Sequence, residues 1–102
     1  MSSDGGMALM KGRRGLIMGL ANDKSIAWGI ARALADQGAE LAFSYQGEAL
    51  KRRVEPLAAQ VGSDFLAECD VADEASIDGL FQTLSTRWDS IDFIVQGIEL
   101  AD

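Results

Sequence analysis

No histidine occurs among the 102 residues, and cysteine occurs once, at Cys69. The first absence removes the commonest general base and the commonest metal ligand. A single thiol forms no internal disulfide and fits a reducing compartment, so a cytoplasmic protein is expected. Without Cys/His spacing of the zinc type, no transition-metal site is expected either. Proline also occurs once, at Pro56, against 48% hydrophobic residues, which reads as a globular chain rather than a disordered one. No apolar run approaches the roughly 18 residues of a membrane span. The opening "MSSDGGMALMKGRR" puts its basic residues after a short apolar patch, the reverse of a signal peptide. Cations are outnumbered, nine Lys and Arg against sixteen Asp and Glu, for a net charge of −7. That balance repels nucleic-acid phosphates and otherwise means only solubility.

What is present is a regular alternation of strand and helix patterns. "RGLIMG" is a short apolar run closed by Gly19, the pattern of a buried strand. Ser25 is placed to cap a helix in which Ile26, Ile30 and Leu34 repeat at helical spacing beside a small-residue stripe, Ala27, Ala31 and Ala35. Gly38 is its stop signal. Residues 39–45 form a second strand, and residues 48–61 carry Leu50, Val54, Leu57 and Val61 on one helical face. Pro56 inside that segment predicts a kink or a break into two short helices, and Gly62 closes it. "DFLAECDV" is a third strand. Asp73 can cap the next helix, whose face is Ile77, Leu80, Phe81, Leu84 and Trp88, and "IDFIVQG" is a fourth strand. The order β-α-β-α-β-α-β predicts a Rossmann-type doubly wound α/β domain, a twisted parallel sheet with helices on both faces. The first nine residues read as a mobile tail, and residues 10–102 as the amino-terminal part of such a domain, because no helix pattern follows the last strand.

In a sheet of this kind ligands bind beyond the carboxyl ends of the strands. The turn after the first strand combines Gly19, which lets backbone approach a ligand, with the free N–H groups of a helix start and the Ser25 hydroxyl. Those groups suit a pyrophosphate. The same residues also serve a plain turn and a plain cap, since the glycine-rich G-x-G-x-x-G signature is absent. Gln46 ends the second strand, where a dinucleotide's adenosine ribose is expected; it can accept from a 2′-hydroxyl and neutralises no 2′-phosphate. Lys51, Arg52 and Arg53 follow on the next helix, either reaching round or forming a solvated face. Asp70 either receives an adenine amino group, with Val71 against the ring, or caps its own turn. Cys69, Trp28, Trp88 and Tyr45 read as packing residues.

The stretch "GLIMGLANDKSIAWGIARALADQGAELAFSYQGEALKRRVEPLA", followed by "GSDFLAECDVADEASID" and W-x-x-x-D-F-I-V, resembles the start of bacterial NADH-dependent enoyl-acyl-carrier-protein reductases. These are divergent short-chain dehydrogenase/reductases, and the resemblance runs over residues 10–95. It implies an oxidoreductase of fatty-acid biosynthesis that reduces the trans-2 double bond of an acyl chain on acyl carrier protein, with hydride from NADH. It implies that Gly19, Ser25 and Ile26 hold the dinucleotide phosphates, Gln46 the ribose, and Asp70 and Val71 the adenine. Ile98 lies along the nicotinamide and Ala101 at the substrate mouth by the same resemblance. The family assembles as a homotetramer, with much of the assembly surface beyond Asp102.

The resemblance fades at residues 96–101. The family's H-[AS]-I-[GA]-F-[AS] is here Gln96, Gly97, Ile98, Glu99, Leu100 and Ala101. Glu99 stands at a small-residue position, where a carboxylate beside the cofactor is a costly buried charge. The family's catalytic tyrosine and lysine have no counterpart either. Lys51 does lie six residues after Tyr45, the one tyrosine, but that pair sits at the adenosine-side strand end. No catalytic residue is therefore assigned, and no turnover is expected from these 102 residues alone. Two other readings remain open at this point: a non-catalytic NAD-binding module, and a subunit that docks onto intact reductase.

Overall fold

The computed structural model describes residues 11–20 and 26–96. In chain order the elements are β1 (Arg14–Met18), α1 (Ile26–Asp36), β2 (Glu40–Tyr45), α2 (Glu48–Gln60), β3 (Leu66–Glu68), α3 (Glu74–Ser85) and β4 (Phe93–Gln96). The strands form one parallel sheet in the order β3-β2-β1-β4. β1 therefore lies inside, with Leu16 opposite Ala42 of β2 and Ile94 of β4.

The two-residue period of the strands sorts their side chains onto two faces. Ile17, Leu41, Phe43 and Tyr45 point to one face, against Ala27, Trp28 and Ala31 of α1 and Val54, Leu57 and Ala58 of α2. Leu16, Met18 and Ala42 point to the other, against Leu80 and Leu84 of α3, with Cys69 and Trp88. β1 and β2 are buried on both faces, which is why they read as continuous apolar runs rather than alternating ones.

α1 turns its small stripe inward. Ala27 and Ala31 are buried with Trp28, while Ile26 is 83% exposed and Ile30 is 41% exposed. The larger isoleucine row is thus not the core face: alanines let the helix axis approach the sheet, and Trp28 fills the space beside them. α1 stops where Ala39 N–H donates to Leu34 C=O (3.1 Å) and Gly38 N–H to Ala35 C=O (2.9 Å), the paired bonds of a Schellman ending. Gly38 adopts φ +96, and a Cβ there would stand 3.1 Å from the Lys11 Cα, so both conformation and space require glycine.

α2 runs unbroken through Pro56, from Glu48 to Gln60. The break that proline predicts does not occur, because Val54, Leu57 and Ala58 anchor the helix to the sheet on either side of it. Pro56 and Arg52 both face water, which can accept the hydrogen bond that the missing N–H leaves open at the Arg52 carbonyl. α3 starts at Asp73, whose carboxylate accepts from Ala75 N–H at 3.0 Å. β3 is shorter than its sequence pattern, three residues at the sheet edge. Bonds from Phe43 N–H to Phe65 C=O (3.0 Å) and from Cys69 N–H to Tyr45 C=O (2.8 Å) hold its flanks to β2.

Candidate functional site

All four strands point the same way, so their carboxyl ends form one edge. β1 has β2 on one side and β4 on the other, and the chain reaches those two neighbours by crossovers in opposite directions. Such a reversal opens a crevice outside the carboxyl ends of the central strands. The residues placed there by local structure are Gly19 after β1, Gln46 and Gly47 after β2, and Asp70 and Val71 after β3.

Gly19 follows the buried β1 directly, is exposed, and has φ +73. The left-handed backbone turns the chain sharply out of the sheet between fully buried Ile17 and fully buried Leu20. With no Cβ, this turn presents bare backbone at the crevice. Ile26 opens α1 almost fully in water. Gln46 is exposed immediately beyond buried Tyr45. Tyr45 itself is 7% exposed and packs in the core.

Asp70 is held by its own turn. Its N–H donates to the Ser76 hydroxyl at 2.9 Å, and its Oδ1 accepts from Ala72 N–H at 2.9 Å. One carboxylate oxygen thus serves as a cap, which fixes the direction of the other. Val71, next in the chain, is 38% exposed. Ser25, Ile98, Ala101 and Glu99 lie outside the described residues.

One residue at this edge escapes a reading by motif. Glu68 Oε2 accepts from the Gly47 N–H at 3.3 Å, across the gap between β3 and the start of α2. Tyr45 is the β2 partner of Glu68, so the register of two strands sets this contact. The two-residue step from Glu68 to Asp70 is its only trace in the sequence. Among the described residues there is no group of three or more His, Cys, Asp or Glu positioned to hold a metal ion, and no helix is long and apolar enough to cross a membrane.

A cleft of ≈ 310 Å³ opens at the opposite, amino end of the sheet, lined by Arg14, Glu40, Ser63, Asp64, Arg87 and Trp88 among others. Its charges cancel: Arg87 pairs with Asp64 at 2.9 Å, and Arg14 Nε stands 3.6 Å from Glu40. Gly62, exposed at φ +76, also lines it, but its N–H is spent on Ala59 C=O at 3.1 Å, where it closes α2.

A parallel sheet in this order, helices on both faces and a glycine turn at the switch point define a Rossmann-type α/β domain. The chain belongs to the enoyl-(acyl carrier protein) reductase family, whose model matches residues 19–102. An enoyl-[acyl-carrier-protein] reductase [NADH] of Rhizobium meliloti is 61% identical over 94 residues, which are 92% of this chain and 35% of that protein. The Anaplasma phagocytophilum enoyl-acyl-carrier-protein reductase, solved with NAD, superposes with a TM-score of 0.80 at 50% identity, over 84% of this chain and 33% of that one. The Bacillus cereus enzyme, solved with NADP+ and an indole naphthyridinone, gives a TM-score of 0.81 at 38% identity, over 86% of this chain and 35% of that one. The chain spans about a third of the length of the curated relatives it matches.

Proposed function

We propose that the chain binds NADH at the carboxyl edge of its sheet and forms the cofactor-binding part of an enoyl-acyl-carrier-protein reductase. The observation that carries the reading is Gly19: a left-handed, side-chain-free turn between a buried strand and a helix, at the point where the strand order reverses. Gly19, Ser25 and Ile26 hold the pyrophosphate and its surroundings. Gln46 accepts from the adenosine 2′-hydroxyl. The Asp70 oxygen not used by its turn receives the adenine amino group, and the exposed Val71 packs on the ring. Ile98 and Ala101 extend the site toward the nicotinamide and the substrate. Two apolar side chains left in water beside the crevice, Ile26 and Val71, support this assignment, since a bound dinucleotide would cover them.

NADH, when bound, supplies the hydride for a trans-2-enoyl thioester carried on acyl carrier protein. The residues of this chain bind and orient the cofactor. The one tyrosine is a core residue, so these 102 residues hold NADH without turning over substrate. The setting is cytoplasmic fatty-acid biosynthesis, and a homotetramer is the assembly for the whole enzyme.

The test is a melting curve of the chain with and without millimolar NADH, with NADPH as control. A ligand that binds only the folded state at a hundred times its Kd adds about 2.7 kcal/mol. A cooperative transition moved upward by NADH is expected. A cooperative transition that NADH leaves in place refutes the site, and steady enoyl-thioester-dependent NADH oxidation refutes the assignment of a non-catalytic part.

A further inference from the structure

The end of β2 is the place where a dinucleotide-binding sheet distinguishes a ribose 2′-hydroxyl from a 2′-phosphate. A carboxylate at the last position of that strand is the usual device for choosing NAD. Here the residue just beyond that strand is the uncharged Gln46, so Gln46 contributes no electrostatic bias against a phosphate. The fold does not decide either, because the Bacillus cereus relative that superposes on this chain was solved with NADP+. The choice falls to the charges around Gln46.

Those charges are set by the neighbouring strand. Glu68 ends β3 beside Tyr45, the last residue of β2. Its Oε2 accepts from the N–H of Gly47, the residue after Gln46 and the N-cap of α2. Gly47 has no side chain to cap its helix, and Glu48 is the acidic residue of the first turn. A backbone N–H that would suit a phosphate oxygen is therefore already taken, and by a negative charge. The nearest cation in sequence, Lys51, lies a full turn further on, where its N–H bonds the Gly47 carbonyl. No ion pair joins Glu68 to Lys51, Arg52 or Arg53 among the described residues.

We infer that Glu68 is a specificity-determining residue that favours NADH over NADPH, by holding a carboxylate on the Gly47 amide where a 2′-phosphate would stand. The inference rests on the reading that NADH binds at this edge. A 2′-hydroxyl is neutral and tolerates the carboxylate, whereas a 2′-phosphate brings nearly two further negative charges and loses a donor.

The experiment measures dissociation constants of NADH and NADPH for the 102-residue chain by titration calorimetry, for the unsubstituted protein, Glu68→Gln and Glu55→Gln. Gln at position 68 keeps an oxygen that can accept from Gly47 N–H and removes only the charge. Glu55→Gln makes the same change in net charge about two turns along α2 from Gly47. Glu68→Gln is expected to tighten NADPH about three- to tenfold, from the loss of one unit charge near a dianion in partly aqueous surroundings. NADH is expected to stay unchanged, and Glu55→Gln to leave both constants in place. An unchanged NADPH-to-NADH ratio in Glu68→Gln, or an equal shift in Glu55→Gln, overturns the inference and leaves the NADH site standing. Binding of neither dinucleotide by the unsubstituted chain overturns the NADH reading and this inference with it. If Glu68→Gln melts early, salt decides on the unsubstituted chain. A ratio that moves toward NADPH as salt screens the carboxylate supports the inference, and a flat ratio overturns it.

Discussion

Gly15 sits inside β1 opposite Phe93 of β4, and the Phe93 ring folds back across it. A Cβ built on Gly15 would overlap the ring at Cδ2, Cε2 and Cζ. The Gly15 φ is not positive, so Gly15→Ala changes only the side chain. Two effects then oppose each other. Alanine in a strand interior removes an entropic penalty of about 0.5–1 kcal/mol. Overpacking costs about 1–3 kcal/mol. The ring can escape only by giving up its packing against the core face of Ile17, Leu41 and Phe43, so the steric cost wins. The expected net loss is about 1–2 kcal/mol. At about 4–8 °C per kcal/mol for a domain of this size, that lowers the melting temperature by roughly 5–15 °C. Circular dichroism melts in two backgrounds isolate the cause: with Phe93→Leu the obstructing ring is gone, and Gly15→Ala is expected to become neutral or stabilising. A coupling of about 1 kcal/mol or more between the two sites is expected from residues in direct contact. An alanine variant as stable as the parent, or one equally destabilised in both backgrounds, would refute the reasoning.

Two further substitutions test the polar bookkeeping of the second face and of α3. Ser44 is 1% exposed, and its hydroxyl has no hydrogen-bond partner among the described residues, so Ser44→Ala is expected to leave stability unchanged or raise it by up to about 1 kcal/mol in a urea melt; a clear loss would mean that the hydroxyl is bonded. Asp73→Ala removes the acceptor for Ala75 N–H and is expected to cost about 0.5–2 kcal/mol, most of it recovered by Asp73→Asn, whose side-chain oxygen still caps.

Much of the fold was legible in the residue pattern, because the signals involved are local. Apolar runs without alternation marked β1 and β2 as strands buried on both faces. Gly38 and Asp73 marked a helix end and a helix start by chemistry that acts within a few residues. Gly19 and Asp70 were legible as site candidates for the same reason: Gly19 closes an apolar run, Asp70 falls at or just beyond the third strand's end, and the end of a parallel strand is where a crevice lies.

What only the tertiary structure decided depends on distance along the chain being exchanged for distance in space. Periodicity found two stripes on α1 and ranked neither. The sheet chose the alanines, since a small stripe allows the closer approach, and left Ile26 and Ile30 outside. Pro56 predicted a kink or a break from its missing N–H; the helix is not broken, and Val54 and Leu57 anchor it to the sheet on opposite sides of the proline. Asp70 carried two sequence readings, turn cap and adenine acceptor; the structure engages one oxygen in the turn and leaves both roles compatible. Glu68 carried no reading at all. Its contact with Gly47 spans 21 positions and arises only when Tyr45 and Glu68 pair across two strands. The sequence alone determines which segments are strands and helices and which residues follow the strands at the carboxyl edge of the sheet, because those follow from local periodicity and turn chemistry. Which charge faces that edge is decided by strand register, a property that no single segment contains.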